Sequence, residues 1–182
     1  MYRGIPKMKR PIQRGLAIKP YGWDEIKDII ERKRDLSLLC RSEEQEEFYR
    51  QTRSELSEKW KTVHDFILVS KFDHDKISVD KEQPNSKWQA DPCLEKVREM
   101  RTSLSLNDHP YYFVDGIDHW VLWKIGGLVT PTEIDHAKND LKKMGEKDGK
   151  GRKVIDTIHW INPPQLKSLP EIDHAHILCL RK

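Results

Sequence analysis

The stretch Ile158-His-Trp-Ile-Asn-Pro-Pro-Gln-Leu-Lys-Ser-Leu-Pro-Glu-Ile-Asp-His-Ala-His-Ile-Leu-Cys-Leu-Arg-Lys182 decides how this chain folds. With the residues just before it, it reads as two short strands, 154–161 and 173–180. Pro163, Pro164 and Pro170 stiffen the connection between them. Side chains alternate faces along a strand, so His174 and His176 point the same way, about 7 Å apart. Ile177 and Cys179 are then expected against helices, with both imidazoles on the opposite side or in a cleft. Two imidazoles on one face can bind a metal, hold a phosphate or exchange protons near neutral pH. The plainer alternative is a pair of polar residues on the solvent face of an edge strand.

Upstream, Thr130-Pro-Thr-Glu133 supplies an N-cap Thr, Pro at the first helical position and Glu at the third. Ile134, Ala137, Leu141 and Met144 form the apolar stripe of that helix, and Gly145 ends it. Before it, residues 111–125 carry the strongest strand signal, aromatic and β-branched, with Gly116 as a turn. Gly126-Gly127 is another turn; it lacks the Lys-Ser/Thr of a P-loop.

The N-terminal half reads as helices. Trp23, Ile26, Ile29 and Ile30 mark a short one. Ser42 with Gln45 opens a second over residues 43–62, whose buried stripe is Phe48, Tyr49, Thr52, Leu56, Trp60 and Val63. Residues 65–72 either finish that helix or start a strand, and 73–90 read as a surface loop. Asp91-Pro92 opens a third helix to about Arg101, with Leu94, Val97 and Met100 inward. The order predicts an α+β fold, a small mainly antiparallel sheet packed against several helices. The helix between the strands also admits a parallel crossover.

At 182 residues with six Trp, one globular domain over 21–182 is expected, after a basic, mobile tail at 1–20. That tail holds Arg3, Lys7, Lys9, Arg10, Arg14 and Lys19 and no acidic residue, so it alone offers a surface for nucleic acid. A net charge of +3 gives no strong field elsewhere. No apolar run approaches the roughly 20 residues of a membrane span, and no signal-peptide core follows the basic start. Cys40, Cys93 and Cys179 have no CxxC spacing and read as reduced thiols, pointing to the cytoplasm, or the nucleus if the tail is a targeting segment. Oligomeric state is not legible.

Three segments carry a resemblance. Arg41-Ser42 with Tyr49, then His119-Trp-Val-Leu-Trp123, then Asn162-Pro with Lys167-Ser-Leu-Pro-Glu-Ile-Asp-His-Ala-His176 resemble the fungal N-acetylglucosamine-induced protein 1 family. That family is also represented among viruses and carries a domain of unknown function. The resemblance runs over about residues 23–180. In layout the chain is also similar to the histidine triad hydrolases and transferases: a His-bearing strand, a helix, Asn162, then His174-Ala-His176. Ile172 stands where the first His of that triad would be, and Ser168 lies further from the pair than in that family.

This second likeness implies His174 as a nucleophile at phosphorus, His176 as the last His of the triad, and Asn162 orienting a ribose or phosphate. Lys167 and Ser168 could hold phosphate oxygens, with His119, Arg41 and Tyr49 completing the far wall. Asp173 points to the other strand face and is a poor orienter of His174. A metal would need His174, His176 and a third ligand from His119, His159 or Asp156; no metal or cofactor is assigned. His119-Trp120 and His159-Trp160 echo each other, as stacking surfaces or as core. The expected partner is a phosphorylated small molecule, with hydrolysis or transfer at phosphorus as an option. The competing expectation is a non-enzymatic scaffold in which His-x-His is structural.

Overall fold

The computed structural model describes residues 15–83, 85–92, 100–144 and 152–182. Its centre is a four-stranded antiparallel sheet of β3 (Arg101–Leu106), β4 (Ile117–Ile125), β5 (Val154–Trp160) and β6 (Asp173–Arg181), in the order β3-β4-β6-β5. A two-stranded sheet of β1 (Lys76–Ser78) and β2 (Trp88–Ala90) stands apart from it. The helices are α1 (Trp23–Lys27), continued as a π-helical turn over Asp28–Lys33, α2 (Glu43–Lys59), α3 (Val63–Phe72) and α4 (Pro131–Lys143).

Each face of the central sheet has its own cover. Ala175, Ile177 and Cys179 of β6 pack with Leu122, Val129, Ile134, Ala137 and Leu141, which places α4 on that side. On the other face, Leu178, Ile158 and Trp160 pack with Tyr111, with Ile26 and Ile29 from the N-terminal helix and with Leu39 after it. Farther along this face, Ile67 and Phe72 of α3 pack with Ile125 and Ile172. The expectation that Ile177 and Cys179 face helices while the imidazoles lie opposite therefore holds. Burial raises the Cys179 thiol to about 12, so it acts as a small hydrophobe.

The sheet is antiparallel throughout, yet α4 does serve as a crossover. It links β4 to β5, which run the same way with β6 hydrogen-bonded between them. A bulge at Val154/Asp156 offsets the outer part of β5. Gly116, at φ +89°, makes the turn before β4; there a side chain would meet the Arg181 carbonyl at 3.3 Å.

Both sequence-read capping boxes are present, Ser42/Gln45 on α2 and Thr130/Glu133 on α4. Other expectations need correcting. Residues 63–72 neither extend α2 nor form a strand. Trp60 adopts an extended conformation that ends α2, and the Thr62 side chain caps a new helix by accepting from the Asp65 N–H. The expected α2 stripe is core only at its end: Trp60 is buried, Tyr49, Thr52, Leu56 and Val63 are half-buried, and Phe48 is 59% exposed. Residues 73–90 hold β1 and β2 rather than loop alone. Arg101 opens strand β3, and Met100 is exposed rather than inward. The rest of that expected helix lies outside the described residues, as do Gly145, Cys93 and residues 1–14 of the basic segment.

Residues 15–20 run without helix or strand. There the Ala17 N–H donates to the Arg41 carbonyl at 2.8 Å and Ala17 is buried. Cys40 and Cys179 are buried, and the Cys40 thiol lies 3.3 Å from the Ser37 carbonyl. Among the described residues no helix is long and apolar enough to cross a membrane.

Candidate functional site

β6 is an inner strand, flanked by β4 and β5, so the edge-strand reading of its histidines fails. His174 and His176 are 4% and 6% exposed, on the face covered by the N-terminal helices. Their rings meet edge to face at 5.3 Å. Buried imidazoles need partners, and each has a different set.

For His174 the partner is local. Its Nδ1 lies 3.0 Å from the Ile172 carbonyl, which can only accept, so Nδ1 carries the proton and Nε2 the lone pair. Burial holds this imidazole below its ordinary pKa, and the Ile172 carbonyl opposes that in part. Asp173 does point away, as alternation requires. It pairs with Lys167 and accepts from the Val129 N–H at 2.7 Å, fastening the connection after β5 to the start of α4. Burial alone would raise the Asp173 carboxyl; the bonds from Lys167 and Val129 outweigh it and hold the group low.

His176 belongs to a buried chain. Its Nδ1 lies 2.9 Å from Nε2 of His119, and its Nε2 lies 3.0 Å from Nδ2 of Asn162. The Asn162 carbonyl oxygen accepts from the Trp160 indole at 3.1 Å. Trp160 stacks on His176 at 4.8 Å and 13°. The His-Trp echo is resolved by alternation: His119 and Trp160 share this face, while Trp120 packs with the α4 cluster.

A cavity of about 720 Å³ opens on this face. It brings together Arg41, Tyr49, Asn162, Lys167, Ser168, His174 and His176 from the expected set. His119 is not among its lining residues and backs His176 instead. Lys167, expected on phosphate, is already engaged by Asp173, and Ser168 is exposed on the wall. Arg41 is held by the His109 carbonyl, at 3.2 Å from both Nε and Nη2, and by Glu46 at 3.1 Å. Its guanidinium lies 4.0 Å from the Tyr49 ring centre.

Sequence reading missed several lining residues. His109 sits beside Tyr49 with ring centres at 5.1 Å, and burial, then Arg41, hold its pKa low. Tyr111, Asn107, Arg50 and Arg53 also line the cavity. Arg53 follows Tyr49 by one helical turn and Arg50 is its immediate neighbour, a signal that resembles any wet helix face. Of the metal alternatives, His159 is exposed beside Ile158 and Trp160, and Asp156 pairs with Lys27 at 3.2 Å. Neither reaches the His pair, and among the described residues no three His, Cys, Asp or Glu side chains form a metal-binding group.

A cavity of this size suits a drug-sized or nucleotide-sized molecule. Its aromatic rings offer stacking surfaces. Arg41 and Arg50 share Glu46 and Lys167 pairs with Asp173, while Arg53, beside the Tyr49 ring, can meet an anion. The model of the family described as "Protein of unknown function (DUF3605)" matches residues 22–180. A protein whose structure is described as "Crystal Structure of HTC1" is similar in fold. It is 21% identical with a TM-score of 0.52, over 88% of this chain and 85% of that one. No curated protein matches the chain.

Proposed function

The chain belongs to that family of proteins of unknown function, which brings no chemistry with it, and from the cavity itself we propose that it binds a phosphorylated, nucleotide-like small molecule. The finer kinship, with the N-acetylglucosamine-induced protein 1 family, is part of this proposal. One observation carries the reading. Arg41, Tyr49, Asn162, Lys167, Ser168, His174 and His176, expected together from separate segments, line one cavity of about 720 Å³. The aromatic and basic wall from α2 takes the base or sugar, and His174 meets the phosphate.

A second reading, chemistry at phosphorus, is favoured by the Ile172 carbonyl on His174 Nδ1. A nucleophilic imidazole needs a lone pair on one nitrogen and an acceptor holding the proton of the other. The Nε2 lone pair would form the N–P bond as the P–O bond to the leaving group breaks. The departing oxygen keeps that electron pair and takes a proton from water, and the hydroxide so formed takes up the proton that the next, attacking water loses. A second water then cleaves the N–P bond and restores the imidazole.

The test is a thermal-shift series on wild type, His174→Ala and His176→Ala, with and without AMP, ADP, a sugar nucleotide and a chelator. A ligand that binds only the folded state raises the melting temperature. Nucleotide should stabilise wild type, His174→Ala should lose that response while staying folded, and chelator should change nothing. If no nucleotide shifts wild type, the scaffold reading replaces this one; a chelator effect would point to metal instead.

A further inference from the structure

The buried chain behind the cavity has a direction, and its ends set it. An indole N–H can only donate, so the Asn162 amide must turn its oxygen to Trp160 and its NH₂ to His176. His176 Nε2 must then accept, which leaves the proton on Nδ1, where it donates to His119 Nε2. His119 in turn carries its proton on Nδ1. There the Tyr111 N–H approaches at 3.4 Å, and Asn107 Nδ2 lies 3.3 Å from both ring nitrogens.

Donors thus face inward from both ends, and one mismatch cannot be avoided. Reversing the run would set N–H against N–H at the Trp160–Asn162 contact of 3.1 Å or the Asn162–His176 contact of 3.0 Å. Leaving it at the 3.4 Å Tyr111 contact costs least, because hydrogen-bond energy and its inverse both grow as the distance shortens.

We propose that Trp160, acting through Asn162, fixes the Nδ1–H tautomer of His176 and His119 and thereby leaves His174 as the imidazole that meets the ligand. Both nitrogens of His176 are consumed in the chain, so it turns neither a lone pair nor a proton to the cavity it lines. Asn162 and Trp160 are positioning residues. This inference rests on the phosphate reading above only for its functional half, since the tautomers stand on contacts within the protein.

The experiment is a side-chain ¹⁵N–¹H spectrum of protein labelled at histidine nitrogen, recorded with and without inorganic phosphate. Wild type should show His176, His119 and His174 all protonated on Nδ1. Added phosphate should move the His174 signals and leave the His176 tautomer as it was. Trp160→Phe keeps a ring against His176 but removes the donor, so His176 should lose its single tautomer. Asn162→Asp puts an acceptor opposite Nε2, so the proton should shift there. A wild-type spectrum with the His176 proton on Nε2 overturns the proposal and needs no variant to fold. So does a His176 tautomer unchanged in both variants, or one that switches when phosphate binds. If no histidine signal responds to phosphate, the phosphate reading fails while the tautomer assignment stands.

Discussion

His174 is the residue on which local chemistry and stability meet. Burial lowers its pKa, as it does for His109. The unfolded chain takes up protons on these groups near about pH 6.5. In the folded protein the depressed values delay that uptake to lower pH. The unfolded state therefore binds more protons below about pH 6.5, and stability must fall there, by at most about 1.4 kcal/mol per pH unit per site. Melting temperatures recorded from about pH 7.5 down to about pH 5.5 should decline, and His174→Ala should decline less steeply than wild type. A melting temperature that rises on acidification over this range would contradict the assignment. The depressed carboxylate of Asp173 acts in a separate window. Its contribution is present above its unfolded value near about pH 3.9 and is lost only as pH falls through the lower folded one.

At the scale of elements, the two faces of the sheet should respond separately. Leu141 of α4 is fully buried among Ile134, Ala137, Ala175, Ile177 and Cys179. Leu141→Ala should cost about 2–5 kcal/mol, the loss of a buried isobutyl group plus its cavity. Thr130→Ala, which removes the cap of α4, should cost about 1 kcal/mol. Neither touches the cavity, so the nucleotide-induced stabilisation should survive both. Ser42→Ala weakens the start of α2 by a similar amount, next to Arg41 and ahead of Tyr49. It should reduce ligand response as well as stability. Denaturant melts with and without ADP separate these cases; a ligand response lost in Thr130→Ala but kept in Ser42→Ala would reverse the account of which face binds.

For the whole molecule, what was legible followed from local rules. Caps need only neighbouring side chains, so Ser42/Gln45 and Thr130/Glu133 marked their helices from sequence. Alternation along Asp-His-Ala-His assigned the two faces of β6 before any packing was known. The illegible parts depended on distant partners. β3 is an edge strand of alternating polar residues, Arg101-Thr-Ser-Leu-Ser-Leu106, which carries little apolar signal after an Asp-Pro helix start. The α2 stripe read as core because Tyr49, Thr52, Leu56 and Trp60 repeat at helical spacing, yet Trp60 is buried while Tyr49 and Leu56 border a cavity instead. The acceptor on His174 is a backbone carbonyl, which no residue type announces. The partners of His176 come from residues 119 and 162, on two other segments.

On the function proposed above, these segments converge to hold a phosphorylated ligand at His174. Isothermal titration of ADP into wild type and into folded His174→Ala tests it most directly. Binding to wild type should saturate and should weaken at least about tenfold in the variant, a difference of about 1.4 kcal/mol. Equal affinity for both proteins, or no heat of binding to wild type at millimolar ADP, would contradict it.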